Sequence, residues 1–320
     1  MLNYETLLKQ AMLYESPEIL PVNLSVLPAA WIHYGEELLR LMKEYPDLMP
    51  QLPDLESIQK NMSDSYRFGN TVDEWNCVWS NIEDGMEAYV TGHPCPNRED
   101  IKTLSIPENR DGRLPHGFMY LRLLDLRGFE EAMMDFAEEC EELSVLIDKV
   151  LTYNLRQIEA RLPQTGDVMW FGDDLGMQHG LAIGADKWRK YLKPCYKAMY
   201  QKVREAGKLV YMHTDGQIYE IMPDLQECGV NIINPQFRAN GLDNLVRVCK
   251  GKIPIHLDLD RQMFPFAASS ELDNHVRECV EALYLPQGGL GLNIEFGREV
   301  PLNNMAAVMD AARKYRGYKG

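Results

Sequence analysis

The second half of the chain alternates between two kinds of segment. GDVMWFGDDLG, KLVYMHTDG, VNIINPQ, KIPIHLDLD and GLGLNIEFG are short apolar runs that end in polar loops. ADKWRKYLKPCYKAMYQKVREAG, QIYEIMPDLQECG, GLDNLVRVCKG, SSELDNHVRECVEALYL and PLNNMAAVMDAARKY follow them in turn, each with helical spacing. Runs that are apolar on both faces suit strands covered on both sides, as parallel strands are. Glycine stops and serine or aspartate starts fit helix ends. Strict strand–helix alternation predicts an α/β fold with a parallel sheet. Polar residues close nearly every strand: Asp173, His213, Asn234, His256 with Asp258, and Glu295. A closed barrel would bring all these ends to one mouth, whereas an open sheet uses only those near its switch point. The expectation is therefore a TIM (β/α)8-type barrel with an elaborated N-terminal region. The chain has no GxGxxG or GxxxxGK[ST] motif, which removes the usual nucleotide-binding reading.

The first half is less regular. EILPVNLS reads as the first barrel strand, AAWIHYGEELLRLMKEYPD as its helix, and HGFMYLRLLDL as a further strand. Phe129 to Leu162 reads as a long helical region broken into two helices. Residues 50–110 are rich in aromatics, glycine and asparagine, and read as an insertion near the barrel mouth, with room for a hairpin. No linker rich in Pro, Gly or Ser interrupts the chain, so residues 1–320 are expected to form one domain.

A formal charge of -15 argues against non-specific nucleic-acid binding, which needs a cationic surface. The seven cysteines are widely spaced and form no CxxC pair, so mostly buried thiols in a reducing compartment are expected. MLNYETLLKQAMLYESPE carries acids and lacks the basic-then-apolar pattern of a signal peptide. No apolar run reaches the ~18 residues of a membrane span. A cytoplasmic protein without membrane contact is the expectation. A homodimer is a further one, since several outer helices could pair.

His213 and Asp215 carry the first chemical hypothesis. Residues two apart on an extended backbone share a face, and a histidine with a carboxylate can ligate zinc. Glu295 ends the last strand, which neighbours the first in a closed barrel, so His213, Asp215 and Glu295 form a candidate metal set. The competing reading has Asp215 capping the next helix, His213 bonded to a carbonyl and Glu295 paired with an arginine. Asp173 and Asp174 could hold a substrate cation or act as a general base, or one could cap a turn. The glycines around them suggest close approach of backbone to a ligand. His256, Asp258 and Asp260 form an alternating polar face that either lines a mouth or closes a network between strands. Trp75 and Trp79, with Tyr66 and Phe68, could roof a flat apolar substrate or form the core of the insertion. Cys77, between the tryptophans, reads as buried rather than reactive.

The stretch from FGDDLGMQHGLAIGADKWRKYLKPCYKAMYQKVREAGKLVYMHTDGQIYEIMPDLQECGVNIINPQ through IHLDLD to PLNNMAAVMDAARKY resembles the uroporphyrinogen decarboxylase superfamily. The likeness implies a TIM-type barrel and one of two chemistries. The decarboxylase proper works without a cofactor and grips propionates with an N-terminal arginine cluster. Here the corresponding segment has Arg40 as its only arginine, a departure that matters for a polyanionic substrate. The corrinoid-dependent methyltransferase and O-demethylase branch is similar to this chain at DEWNCVW and EDG. Its thiol-methylating members bind zinc through an H-x-C pair and a later cysteine. His213 matches that histidine, Asp215 stands at the first cysteine, and the second would fall near Arg298.

The resemblance thus implies a zinc site of harder ligands and a methyltransferase. The enzyme would move a methyl group between a small aromatic substrate, an aryl methyl ether, and the cobalt of a corrinoid-binding protein. That would place it in one-carbon metabolism. In that reading His213, Asp215 and Glu295 hold the metal. Asp173 or Asp174 orients the substrate or helps protonate the leaving oxygen. Asn234 and Gln236, with Trp75, Trp79 and Phe171, form the substrate pocket. His256 and Asp258 tune the metal or face the corrinoid. The alternatives are a cofactor-free decarboxylase and a non-catalytic corrinoid-binding protein.

Overall fold

The computed structural model describes residues 4–320; the first three residues of the N-terminal segment considered above lie outside it. The strands are β1 (Val22–Val26), β2 (Gly69–Val72), β3 (Val78–Asn81), β4 (Tyr89–Gly92), β5 (Val168–Gly172), β6 (Leu209–Thr214), β7 (Ile232–Pro235), β8 (Ile255–Asp258) and β9 (Leu290–Phe296). The five alternating units of the second half account for β5 to β9.

The closed eight-stranded TIM barrel is not what forms. Among the described residues the parallel sheet has six strands, in the order β1-β9-β8-β7-β6-β5. It is open, with β1 and β5 at its edges. The physical reason lies between those two strands in the sequence, a stretch that adds no parallel strand. HGFMYLRLLDL is helical at Tyr120–Arg127 rather than extended. The expected insertion instead supplies a separate sheet of three strands, β2-β3-β4. The region from Phe129 does break into two helices, Phe129–Glu138 and Glu141–Arg161. The break comes at Glu139, which takes a left-handed φ of 55°. The helix expected after β1 is also split, at Gly35, into Pro28–Tyr34 and Glu36–Met42.

Contacts divide the described chain into two compact units. One holds β1, β8 and β9 within residues 4–69, 80–89 and 236–320; the other holds β5, β6 and β7 within residues 70–79 and 90–235. In the first, β9 pairs in parallel with β1 and with β8. Its apolar core includes Leu257, Leu292, Ile294, Phe296 and Val276, all fully or almost fully buried. In the second, β6 pairs in parallel with β5 and with β7.

Alternation along β5 decides what each of its faces meets. Phe171 is buried and packs edge-on to Tyr200 of the helix Lys193–Glu205, with ring centroids 5.0 Å apart. Trp170 and Gly172 share the other face. Trp170 lies over Tyr211 of β6, its register partner, at a centroid distance of 4.0 Å. The seven cysteines are all free thiols, and all but Cys140 are buried. Among the described residues no helix is long and apolar enough to cross a membrane.

Candidate functional site

In the unit built on β5 to β7, register sets out one polar row. Gly172 is the partner of His213, and His213 is the partner of Asn234. His213 Nδ1 lies 2.7 Å from Asn234 Oδ1, and Asn234 is itself buried. With Nδ1–H donating to that oxygen, Nε2 is the end of the ring that faces the acids. It lies 3.3 Å from Asp215 Oδ1 and 4.0 Å from Asp174 Oδ1. A nitrogen lone pair facing carboxylate oxygens is repulsive, so this geometry is favourable only with a proton or a cation between them.

A second imidazole joins this group, and sequence reasoning missed it. His116 Nε2 lies 3.0 Å from Asp174 Oδ2, and the His116 and His213 rings are 5.6 Å apart. The ligand atoms of His116, Asp174 and His213 all lie within 4.8 Å of one another. Burial disfavours charge on His116, but Asp174 outweighs it and raises the imidazole pKa. Burial alone would raise the Asp174 carboxyl; His116, the Asp215 amide and His213 hold it below its ordinary value.

Backbone contact brings the two acid-bearing loops together. The Asp215 amide donates to Asp174 Oδ1 at 3.0 Å, and the Gly176 amide donates to the Asp215 carbonyl at 3.1 Å. A Cβ on Gly216 would lie 2.1 Å from the Gly176 backbone. The close approach implied by these glycines is therefore to another loop. That at Gly172 is to a side chain: a Cβ there would lie 2.6 Å from His116 Nδ1.

Asp173 points away from this cluster and is fully buried. Its carboxylate accepts the amides of Met119 (3.1 Å), Tyr120 (2.6 Å) and Leu121 (3.0 Å), and the Tyr196 hydroxyl at 2.6 Å. Phe171 is on the helix-facing side of β5. Trp75 is enclosed, its ring edge-on to Tyr153. Trp79 donates through Nε1 to Asp73 Oδ2 at 3.0 Å; the same carboxylate takes the Trp75 and Cys77 amides and the Arg122 guanidinium. The tryptophans and Cys77 thus gather around one ion pair between the half-buried Asp73 carboxylate and the buried Arg122 guanidinium. Burial pushes the Cys77 thiol up, away from the thiolate.

The other unit holds the remaining sequence-derived residues. Asp258, Asn293 and Asn23 form a hydrogen-bonded row across β8, β9 and β1. Asn293 donates to Asp258 at 2.6 Å, and Asn23 donates to Asn293 at 2.7 Å. His256 is buried, with Nε2 2.9 Å from the Leu292 carbonyl. Its ring lies over Gly291, its register partner. Gln236 forms a bridge to Asp258 and accepts from Asn240 through its carbonyl. Glu295 is ion-paired with Arg261. Arg238 grips Asp260 through two nitrogens, at 2.7 and 2.9 Å, and Arg298 pairs with Glu83.

A model of the uroporphyrinogen decarboxylase (URO-D) family matches residues 123–315. Among solved structures, a methyltransferase from Methanosarcina mazei aligns with a TM-score of 0.66 at 15% identity, covering 98% of this chain and 99% of that one. A B12-independent methionine synthase from Shewanella sp. W3-18-1, in complex with selenomethionine, aligns at a TM-score of 0.46 and 13% identity, covering 92% of this chain and 98% of that one. The latter likeness is too slight to argue from, and the former shows a shared fold. No curated protein sequence matches the chain. With more than half of its length matched by the family model, the chain belongs to the uroporphyrinogen decarboxylase family.

Proposed function

We propose that the protein is a metal-assisted methyltransferase. It would move a methyl group between a small methylated molecule, an aryl methyl ether, and the cobalt of a corrinoid carried by a partner protein. The observation that carries the reading is the meeting of two imidazoles with the Asp174 carboxylate, on a fold shared with a methyltransferase.

The donor set suits zinc. Two histidine nitrogens and a carboxylate are ordinary zinc ligands, and bound ligands would stand about 3.4 Å apart in a tetrahedral site. His116, Asp174 and His213, within 4.8 Å of one another, need to draw in by about an ångström on that basis. The Asn234 contact to His213 Nδ1 is the kind of support that fixes a metal-binding imidazole. Asp215 stands beside the same Nε2 as a further ligand or a base. Glu295 would keep its arginine partner rather than join the set. When bound, the metal would supply Lewis-acid stabilisation of charge on the oxygen that loses its methyl group.

In the forward direction the C–O bond breaks with its electron pair left on oxygen, and the methyl carbon passes to the acceptor. The proton that neutralises that oxygen would come from solvent by way of Asp215, which stands beside His213 Nε2. Trp170, tilted against Tyr211 one layer below His213 on the same face, offers an aromatic surface for the ring.

The test is metal analysis of protein purified without added metal, together with methyl transfer to a Co(I) corrinoid protein followed by absorbance. About one metal per chain is expected in the native protein and much less in His213→Ala, with transfer abolished by chelation. Equal metal in both proteins would remove the site. Release of carbon dioxide from a carboxylated substrate, surviving chelation, would establish the decarboxylase alternative instead.

A further inference from the structure

We infer that Asp173 is a positioning residue for His116. This rests on the proposed role of the His116, Asp174 and His213 group. Asp173 and Asp174 are neighbours at the end of β5, and both act on the segment that leads into the helix Tyr120–Arg127, one by gripping its start and the other by meeting His116.

The grip is unusual for a helix start. Residues that cap helices come from the turn just before them. Here Met119 occupies that place and offers no side-chain bond. The donors are satisfied by a carboxylate on a strand more than fifty residues away, which accepts three successive amides. A carboxylate has acceptor sites for three amides and a hydroxyl, so the buried charge is well matched.

The result is a fixed distance between helix and strand. His116 lies three residues before Met119. The Gly117 amide donates to the Gly172 carbonyl at 2.8 Å, which adds a second tie to the same strand. The His116 ring then fills the slot that a side chain at position 172 would occupy. Tyr196 closes the arrangement from the helix Lys193–Glu205, its ring edge-on to Phe118; removing only its hydroxyl keeps that ring contact and reaches the site through Asp173.

A residue that only stabilises the fold would weaken the site generally. A residue that acts through His116 should have no further effect once His116 is gone. The experiment is therefore a double-mutant cycle read by cobalt(II) affinity. Asp173→Asn and Tyr196→Phe are each combined with His116→Ala, in protein shown folded by circular dichroism.

In the native background we expect at least tenfold weaker cobalt(II) binding for Asp173→Asn and about threefold for Tyr196→Phe. In the His116→Ala background we expect less than twofold for either. Equal losses in both backgrounds would overturn the inference. If Asp173→Asn fails to fold, Tyr196→Phe decides by the same comparison.

If the native protein binds no cobalt(II), the metal reading fails separately. The inference is then decided by the metal-free crystal structure of Tyr196→Phe. A His116 ring shifted away from Asp174 supports it, and a ring still at hydrogen-bond distance overturns it.

Discussion

Gly172 lies directly beneath the imidazole of His116: a methyl group on its Cα would be 2.6 Å from Nδ1. The glycine is there because the strand backbone must leave room for a ring that arrives from another segment. Gly172→Ala should displace His116 from Asp174 and weaken divalent-metal binding about tenfold. Overpacking of this kind costs roughly 1–3 kcal/mol of stability. Isothermal titration with zinc, beside a urea unfolding curve, separates the two effects. Unchanged zinc affinity would show that His116 is not a ligand.

The interlocked loops give a sharper stability prediction. Gly216 combines a left-handed φ of 81° with a Cβ position 2.1 Å from the Gly176 backbone. No side-chain rotation relieves that clash. Gly216→Ala should cost more than about 3 kcal/mol, beyond the usual range for single substitutions. The urea midpoint measures it. A loss below about 1 kcal/mol would mean that the loops separate easily.

Neighbouring residues on β5 should behave in opposite ways. Phe171 is packed against Phe118 and Tyr200, so Phe171→Ala should lose about 3–5 kcal/mol of stability. Trp170→Leu should instead weaken binding of a phenolic product about tenfold, the scale of one aromatic contact. Fluorescence or calorimetric titration with catechol, set beside unfolding of both variants, distinguishes them. Equal catechol affinity with and without Trp170 would remove the proposed ring platform.

Asp125 supplies a pH test away from the site. Burial pushes its carboxyl up to about 6; Arg122 offsets part of this, while Asp73 and Asp173 add to it. A raised folded-state pKa means that the unfolded chain ionises first. Stability from this group therefore falls as pH rises from about 4 to about 6, and the penalty stays above that. Asp125→Asn should gain roughly 1–2 kcal/mol at pH 7.5 and little at pH 4. Urea unfolding at the two pH values checks the sign.

Much of the α/β alternation was legible because β5 to β9 are short apolar runs with glycine or polar stops. HGFMYLRLLDL was not legible as a helix start, since its cap is Asp173, distant in sequence. His116 carried no local signal beyond the glycine that follows it. Phe171 and Trp170 show a second limit. A strand apolar on both faces does not say which of two adjacent aromatics shares a side with His213. The closed barrel failed for a related reason: strand-end polarity marks the mouth of a parallel sheet whether or not the sheet closes.

The arginines of the β8–β9 unit have a bearing on substrate choice. Arg238, Arg261 and Arg298 are part-exposed, and each already has an acidic partner. A multiply carboxylated guest would have to evict Asp260, Glu295 and Glu83 one by one, stranding each displaced anion beside the newcomer. Uncharged guests would meet no such competition at these three arginines.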